Sequence, residues 1–280
     1  MIDCSDIKNK TAVITGGSGV IGSALVKALA DAGVKTAILA RNEQKVKALA
    51  GQVQKETGTP VLGFSADVLD RKRLEEVKKI IHGEFGKIDF LINGAGGNSP
   101  KATTKLEQLT SKDLNNMDDS FFGLDTSGFD DVFDLNFKGT LIPTMIFTKE
   151  MAEKGEGVVV NISSMNAFNP LTKIPAYSAA KAAINNFTQW LAVHLAKTGV
   201  RVNAIAPGFF LTDQNRFLLL DENGNPTERG KKIINNTPMG RYGEVEELQG
   251  TLLYLLSDIS KFVTGVVIPV DGGYSAFGGV

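Results

Sequence analysis

Short β-branched runs alternate with longer Ala-, Leu- and Lys-rich segments of helical period along almost the whole chain, which restricts the fold to strands joined by helical crossovers. Strands are expected at Thr11 to Thr15, Thr36 to Ala40, Val61 to Ser65, Ile88 to Ile92, Gly157 to Ile162, Arg201 to Ala206 and Val266 to Val270. Helices are expected at Val20 to Ala32, closed by Gly33, at Glu43 to Thr57, Arg71 to Phe85, Phe129 to Ala152, Ala176 to Lys197 and Val245 to Leu256. The expectation is a three-layer α/β fold, a doubly wound parallel sheet of about seven strands with helices on both faces.

No composition shift or linker divides the 280 residues, so one domain over 1–280 is the expectation. Two stretches, 97–128 and 209–241, are too long for ordinary connections and follow strands at their carboxyl ends, where open α/β sheets bind ligands. They are expected to cover a substrate. Thirty basic against thirty-one acidic residues give a net charge of -1 and no general attraction to nucleic acid or an anionic membrane. A single cysteine, Cys4, and two histidines, His82 and His194, supply no Cys/His cluster, so no metal is expected. With neither an apolar leader at Met1 to Lys10 nor a run long enough to span a bilayer, a soluble, cytoplasmic protein is expected.

Between the first strand and first helix lies Thr15-Gly16-Gly17-Ser18-Gly19-Val20-Ile21-Gly22. Glycines there let backbone approach a pyrophosphate, and the helix N-terminus faces its negative charge. The turn lacks the Gly-Lys-Ser/Thr ending of a triphosphate loop, which favours a dinucleotide over ATP. The second strand ends in Leu39-Ala40-Arg41-Asn42, where NAD-binding proteins commonly place an acid for the ribose hydroxyls. The acid is absent. Arg41 is either a partner for a 2′-phosphate, favouring NADP(H) with NAD(H) still possible, or a solvated surface arginine.

Tyr177 and Lys181 stand four residues apart on a helix and therefore project from one face. A phenol with a pKa near ~10 relays protons poorly at neutral pH, and a neighbouring ammonium is expected to lower that value. Ser163 and Ser164 follow the strand Gly157 to Ile162, and either one serves to hold a carbonyl oxygen against the phenol or to cap the next turn. Ser178 is expected to point away from Tyr177.

At this point the chain resembles the short-chain dehydrogenase/reductase family almost end to end. The resemblance is carried by the Thr15 to Gly22 turn, Asp67-Val68, Asn93-Gly94-Ala95-Gly96, Leu135-Asn136-Phe137, Ser164, Tyr177 with Lys181, and Pro207-Gly208. It implies a Rossmann fold and Asn136, Ser164, Tyr177 and Lys181 as the catalytic four, Ser164 being chosen over Ser163 by its spacing of thirteen from the tyrosine. It also implies Asp67 and Val68 near adenine, Asn93 beside the ribose, Thr212 near the nicotinamide amide, and a homotetramer built partly on the helix Ala176 to Lys197. With Gly16, Ser18, Gly19, Val20, Ile21, Gly22, Arg41, Asn42, Gly94, Ala95, Pro207 and Gly208, these residues make up the expected cofactor set, together with Tyr177 and Lys181.

The family turn usually places glycine at position 20, whereas this chain has Val20 and supplies Gly19. That shifted turn, the long stretch after Asn93 and the segment Pro207 to Arg216 resemble the branch described as D-mannonate oxidoreductase, or fructuronate reductase. Thr237 to Arg241 is shared more widely, including with oxoacyl-carrier-protein reductases. A sugar-acid substrate needs a cation or amides facing its carboxylate, and the candidates are Arg216, Asn98, Asn166 and Asn215, with Ser164 on the reacting oxygen. The expected activity is NADP(H)-preferring hydride transfer to a keto sugar acid, most readily fructuronate giving mannonate. A reductase of another keto acid, a sugar or a 3-oxoacyl thioester is the alternative within enzymes, and a dinucleotide-sensing protein the alternative outside them.

Overall fold

A computed structural model describes residues 4–212 and 216–279. In chain order the elements are β1 (Thr11–Thr15), α1 (Val20–Asp31), β2 (Lys35–Ala40), α2 (Glu43–Thr57), β3 (Val61–Ser65), α3 (Arg71–Phe85), β4 (Phe90–Asn93) and α4 (Thr126–Phe133). They continue as α5 (Gly139–Lys154), β5 (Gly157–Ile162), α6 (Pro175–Leu195), β6 (Val200–Pro207), α7 (Arg216–Leu219), α8 (Glu228–Asn235), α9 (Gln249–Leu256) and β7 (Val267–Val270).

The seven strands form one parallel sheet in the order β3-β2-β1-β4-β5-β6-β7. Because β-strand side chains alternate, neighbouring residues feed opposite layers. Ile14, Ile38, Ile92 and Val160 pack with Leu25, Leu29 and Leu252 on one face, while Val13, Leu39, Leu91 and Val159 pack with Val77, Phe147 and Leu191 on the other. Both faces are apolar because both are covered. The strand order reverses direction between β1 and β4, and the crevice beyond their carboxyl ends is where such sheets bind ligands.

Local chemistry sets the helix ends. Asn42 accepts the Lys45 N–H at 2.9 Å to start α2, which Gly58 closes at a φ of 73°, and Asp70 accepts the Arg73 N–H at 3.0 Å to start α3. The single helix expected from Phe129 to Ala152 is instead α4 and α5 joined by a π-helical turn, Asp134–Lys138. That wider turn carries Asn136 into the interior, and the Thr140 hydroxyl takes up the Asn136 carbonyl at 2.8 Å. The two long stretches are also more ordered than expected, since the first ends inside α4 and the second contains α7 and α8. Among the described residues no helix is long and apolar enough to cross a membrane.

Candidate active site

A cleft of about 750 Å³ opens at the carboxyl end of the sheet and is lined from the turns after β1, β2, β3, β4, β5 and β6. At one end is the glycine turn. Gly16 adopts a φ of +67°, its N–H donates to the Leu39 carbonyl at 2.8 Å, and the Gly19 N–H closes the turn on the Gly16 carbonyl at 3.0 Å. A Cβ at Gly22 would stand 2.3 Å from that same carbonyl, so only glycine permits α1 to start this close to the turn. Gly19 is the helix cap in extended conformation and offers no side-chain cap, which leaves the first N–H groups of α1 turned to the cleft. The shift of glycine from position 20 to 19 is thus accommodated: Val20 is the first helical residue, and Val20, Ile21 and Gly22 line the cleft with Gly16, Ser18 and Gly19.

Arg41 and Asn42 line the neighbouring wall, joined by Lys45, a cation one turn into α2 that the sequence reading passed over. Its spacing of four from Arg41 was the available signal. Asp67 and Val68 complete this end, the Asp67 carboxylate accepting the Leu69 N–H at 2.9 Å. Gly94 and Ala95 are held by the Thr15 hydroxyl, which accepts both their N–H groups at 3.1 and 3.2 Å. Pro207, Gly208 and Thr212 line the opposite wall, with Phe209 and Phe210, two further residues missed although they follow directly on Pro207-Gly208.

Asn93 does not reach this cleft with its side chain. Its amide nitrogen donates to the Thr144 hydroxyl and to the Asn161 Oδ1, both at 2.9 Å, because the strand's alternation turns it under α5 rather than toward the crevice.

At the reacting end, Tyr177 and Lys181 both line the cleft from α6, one helical turn apart. Lys181 is buried, and its ammonium donates to the Ile162 carbonyl at 2.8 Å and lies 5.5 Å from the centre of the Tyr177 ring. Removal from water pushes its pKa down to about 8. Burial raises the Tyr177 phenol above its ordinary value, with the Ser164 hydroxyl pulling in the other direction through a hydrogen bond. The lowering expected from the ammonium is not seen in the protein alone: the phenol shifts upward through desolvation, with only the Ser164 hydrogen bond acting against it.

Ser164 caps the turn Met165–Ala167 by accepting the Asn166 N–H at 3.2 Å, and it is also the tyrosine's partner. Ser163 is spent on α6, donating toward Asn185. Ser178 is buried on α6 and lies outside the cleft lining. Asn136 clamps the loop after β4: its amide nitrogen donates to the Gly97 and Val132 carbonyls at 2.7 and 2.8 Å, and its Oδ1 accepts the Gly97 N–H at 3.2 Å. A Cβ on Gly96 would meet the Asn136 Oδ1 at 2.7 Å and the Lys181 Nζ at 3.1 Å, so the three converge.

Of the expected substrate residues that are described, only Ser164 lines the cleft. Asn98 is exposed and donates to the Thr103 hydroxyl at 2.8 Å, stiffening its own loop. Arg216 is exposed at the start of α7 and outside the cleft lining, with its N–H on the Thr212 carbonyl at 2.8 Å. Asn215 lies outside the described residues. Asn166 is buried beside Ser164.

A glycine cradle with open helix N–H groups at one end and a buried lysine beside a phenol at the other fits an elongated anionic dinucleotide whose reactive ring reaches the phenol. Residues 10–223 match the family of short chain dehydrogenases. The chain is a member of the short-chain dehydrogenase/reductase family. This dehydrogenase is an NAD(P)-dependent oxidoreductase acting on CH-OH groups.

It is 51% identical over 276 residues to an uncharacterized oxidoreductase of Haemophilus influenzae, covering 98% of this chain and 96% of that one. A solved structure of a candidate D-mannonate oxidoreductase from Haemophilus influenzae with bound NAD superposes with a TM-score of 0.92 at 50% identity, over 99% of each chain. A gluconate 5-dehydrogenase from Burkholderia cenocepacia, solved with NADP and tartrate, superposes with a TM-score of 0.81 at 28% identity, covering 98% of this chain and 100% of that one.

Proposed function

We propose that this dehydrogenase reduces the ketone of a keto sugar acid, D-fructuronate giving D-mannonate, with NADP(H) as the preferred coenzyme. The observation that carries the chemistry is the meeting of Tyr177, Ser164 and Lys181 at one end of a dinucleotide-shaped cleft. Bound nicotinamide dinucleotide supplies the hydride that goes to the carbonyl carbon. Tyr177 gives the carbonyl oxygen its proton: the phenol is protonated through neutral pH, and the Lys181 charge offsets the cost of the phenolate that its burial raises. Ser164 holds the same oxygen by a hydrogen bond and so fixes the carbonyl's orientation. Lys181, charged below about 8, stabilises the phenolate that proton transfer leaves behind and steadies the ribose. Asn136, which fixes Gly97 and the loop beside the ammonium, is assigned by its resemblance to the family to a proton relay through ordered water.

The substrate assignment draws support from the Haemophilus influenzae candidate D-mannonate oxidoreductase and the gluconate dehydrogenase solved with tartrate. Arg216, whose backbone N–H donates to the carbonyl of the cleft residue Thr212 at 2.8 Å, is the proposed carboxylate partner. The preference for NADP(H) rests on Arg41 and Lys45 on the wall where an acid would otherwise face the ribose. The 1–280 chain works as one domain, with 97–128 and 209–241 closing over the substrate. Assembly as a tetramer is supported by Trp190 and Val193, 57% and 81% exposed on α6, where Trp190 stacks on His194 at 4.8 Å.

The test is steady-state oxidation of NADPH and NADH with fructuronate, other keto sugar acids, a neutral ketone and a 3-oxoacyl thioester. The proposal requires fructuronate to give the highest kcat/KM, and Arg216→Ala to raise KM for the acid without changing the neutral ketone. A faster reaction with the thioester or the neutral ketone contradicts it.

A further inference from the structure

Phe209 follows Pro207-Gly208 at the end of β6, and β6 lies beside β5, after which comes Ser164. The two strands pair through Ile162 and Ile205, and the Ser163 N–H donates to the Ile205 carbonyl at 2.7 Å. Phe209 therefore lines the cleft at the end where Ser164 and Tyr177 stand. With Phe210 it also lines a second cavity of about 380 Å³, bounded by Met239, Pro269 and Val270, and so forms part of the partition between the two. The partition's backbone is fixed, since the Phe209 carbonyl accepts the Gly243 N–H at 2.9 Å. A ring between two cavities lacks the all-round packing that holds a core side chain in place. The Phe209 ring is met instead by Tyr274, edge-on with 5.2 Å between centroids.

The segment past β7 is shaped to bring Tyr274 there. Gly272 and Gly273 take φ angles of +63° and +90°, which turn the chain back instead of letting it run on from the sheet. The Asp271 carboxylate accepts the Gly273 and Ser275 N–H groups at 2.9 and 2.8 Å and locks that turn. Two ties fasten it to its neighbours: the Met239 N–H donates to the Gly272 carbonyl, and the Asn169 side-chain amide donates to the Ser275 carbonyl, both at 3.1 Å. Asn169 belongs to the same stretch after β5 as Ser164. The turn thus joins both sides of the reacting end, the one with Ser164 and the one with Phe209.

We propose that Tyr274 is a positioning residue that holds the Phe209 ring as the wall against which the nicotinamide end of the coenzyme rests. A reduced nicotinamide ring is flat and uncharged, and an aromatic wall gives it contact area without competing for its hydrogen bonds. Tyr274 lines neither cavity and acts on the coenzyme through Phe209. The inference rests on the coenzyme lying with its nicotinamide at the Tyr177 end, and not on which ketone is reduced.

The test is calorimetric binding of NADPH and of ADP-ribose 2′-phosphate, a fragment that keeps the adenosine and pyrophosphate and lacks the nicotinamide. Tyr274→Ala is expected to weaken NADPH binding by about threefold or more while changing the fragment by less than about twofold. Tyr274→Phe, which keeps the ring, restores NADPH affinity. Phe209→Ala weakens NADPH likewise, and adding Tyr274→Ala to it brings no further loss, because the tyrosine acts through that ring. Equal losses for NADPH and the fragment, or losses that add in the double variant, assign Tyr274 a structural role and overturn the inference. Full NADPH binding by Tyr274→Ala overturns it as well. Wild-type protein that binds neither NADPH nor the fragment overturns the reading of the cleft as a coenzyme site, and this inference with it.

Discussion

The Lys181 ammonium donates to the Ile162 backbone carbonyl at 2.8 Å and stands 5.5 Å from the centre of the Tyr177 ring. It therefore serves the phenol through space, and its charge is maintained inside the protein against desolvation. In the unfolded chain this lysine keeps its proton to near 10.5, whereas in the folded protein it releases it near 8. Between those values the unfolded state binds more protons, so this residue's contribution to stability rises with pH, by about 3 kcal/mol across the interval; below 8 its penalty is complete. Urea unfolding of wild type and Lys181→Met from pH 7 to 10.5 should show the difference between them moving in favour of wild type as pH rises. A difference that stays flat means the ammonium is not desolvated.

The glycines of the first turn do separate jobs. A Cβ at Gly22 would lie 2.3 Å from the Gly16 carbonyl, which cannot yield, whereas one at Gly19 would lie 3.3 Å from it in an ordinary extended conformation. Gly22→Ala is expected to destabilise the free protein by about 1–3 kcal/mol, and Gly19→Ala by no more than ~0.5 kcal/mol. Gly19→Ala is nonetheless expected to weaken NADPH binding at least tenfold, since its bare backbone meets the pyrophosphate. Chemical unfolding paired with a fluorescence titration of NADPH separates the two, and full binding by Gly19→Ala contradicts the assignment.

Coenzyme choice follows the wall formed by Arg41 and Lys45. Wild type is expected to favour NADPH over NADH by tenfold or more in kcat/KM, and Arg41→Asp to reverse the order by exchanging a phosphate partner for a ribose-hydroxyl acceptor. Initial rates with both coenzymes decide it. A tenfold advantage for NADH in wild type would make Arg41 a solvated surface residue.

Much of this was legible because strands and helices bury different periods of apolar residues. Glu43–Thr57, Val61–Ser65, Arg71–Phe85 and Gly157–Ile162 form the elements their patterns specify, with end-capping side chains such as Asn42 and Asp70. The glycine turn, Arg41, Asp67, Ser164, Tyr177 and Lys181 come to one cleft because each sits just past the carboxyl end of a strand or early in the helix that follows. The π-helical turn at Asp134–Lys138 was not legible, since one added residue leaves apolar spacing nearly unchanged. The face that the Asn93 side chain takes was not legible, because its motif marks only a strand end. The direction of the Tyr177 shift depends on how deeply the ring is buried, which residue spacing does not report.

The most direct test replaces Tyr177 by phenylalanine and follows NADPH oxidation with fructuronate alongside NADPH binding. Loss of the proton donor is expected to cut turnover by about 10²–10⁴-fold while the coenzyme still binds as in wild type. Turnover retained at more than a tenth of the wild-type rate would mean that the phenol is not the acid, and the account of this site would fail with it.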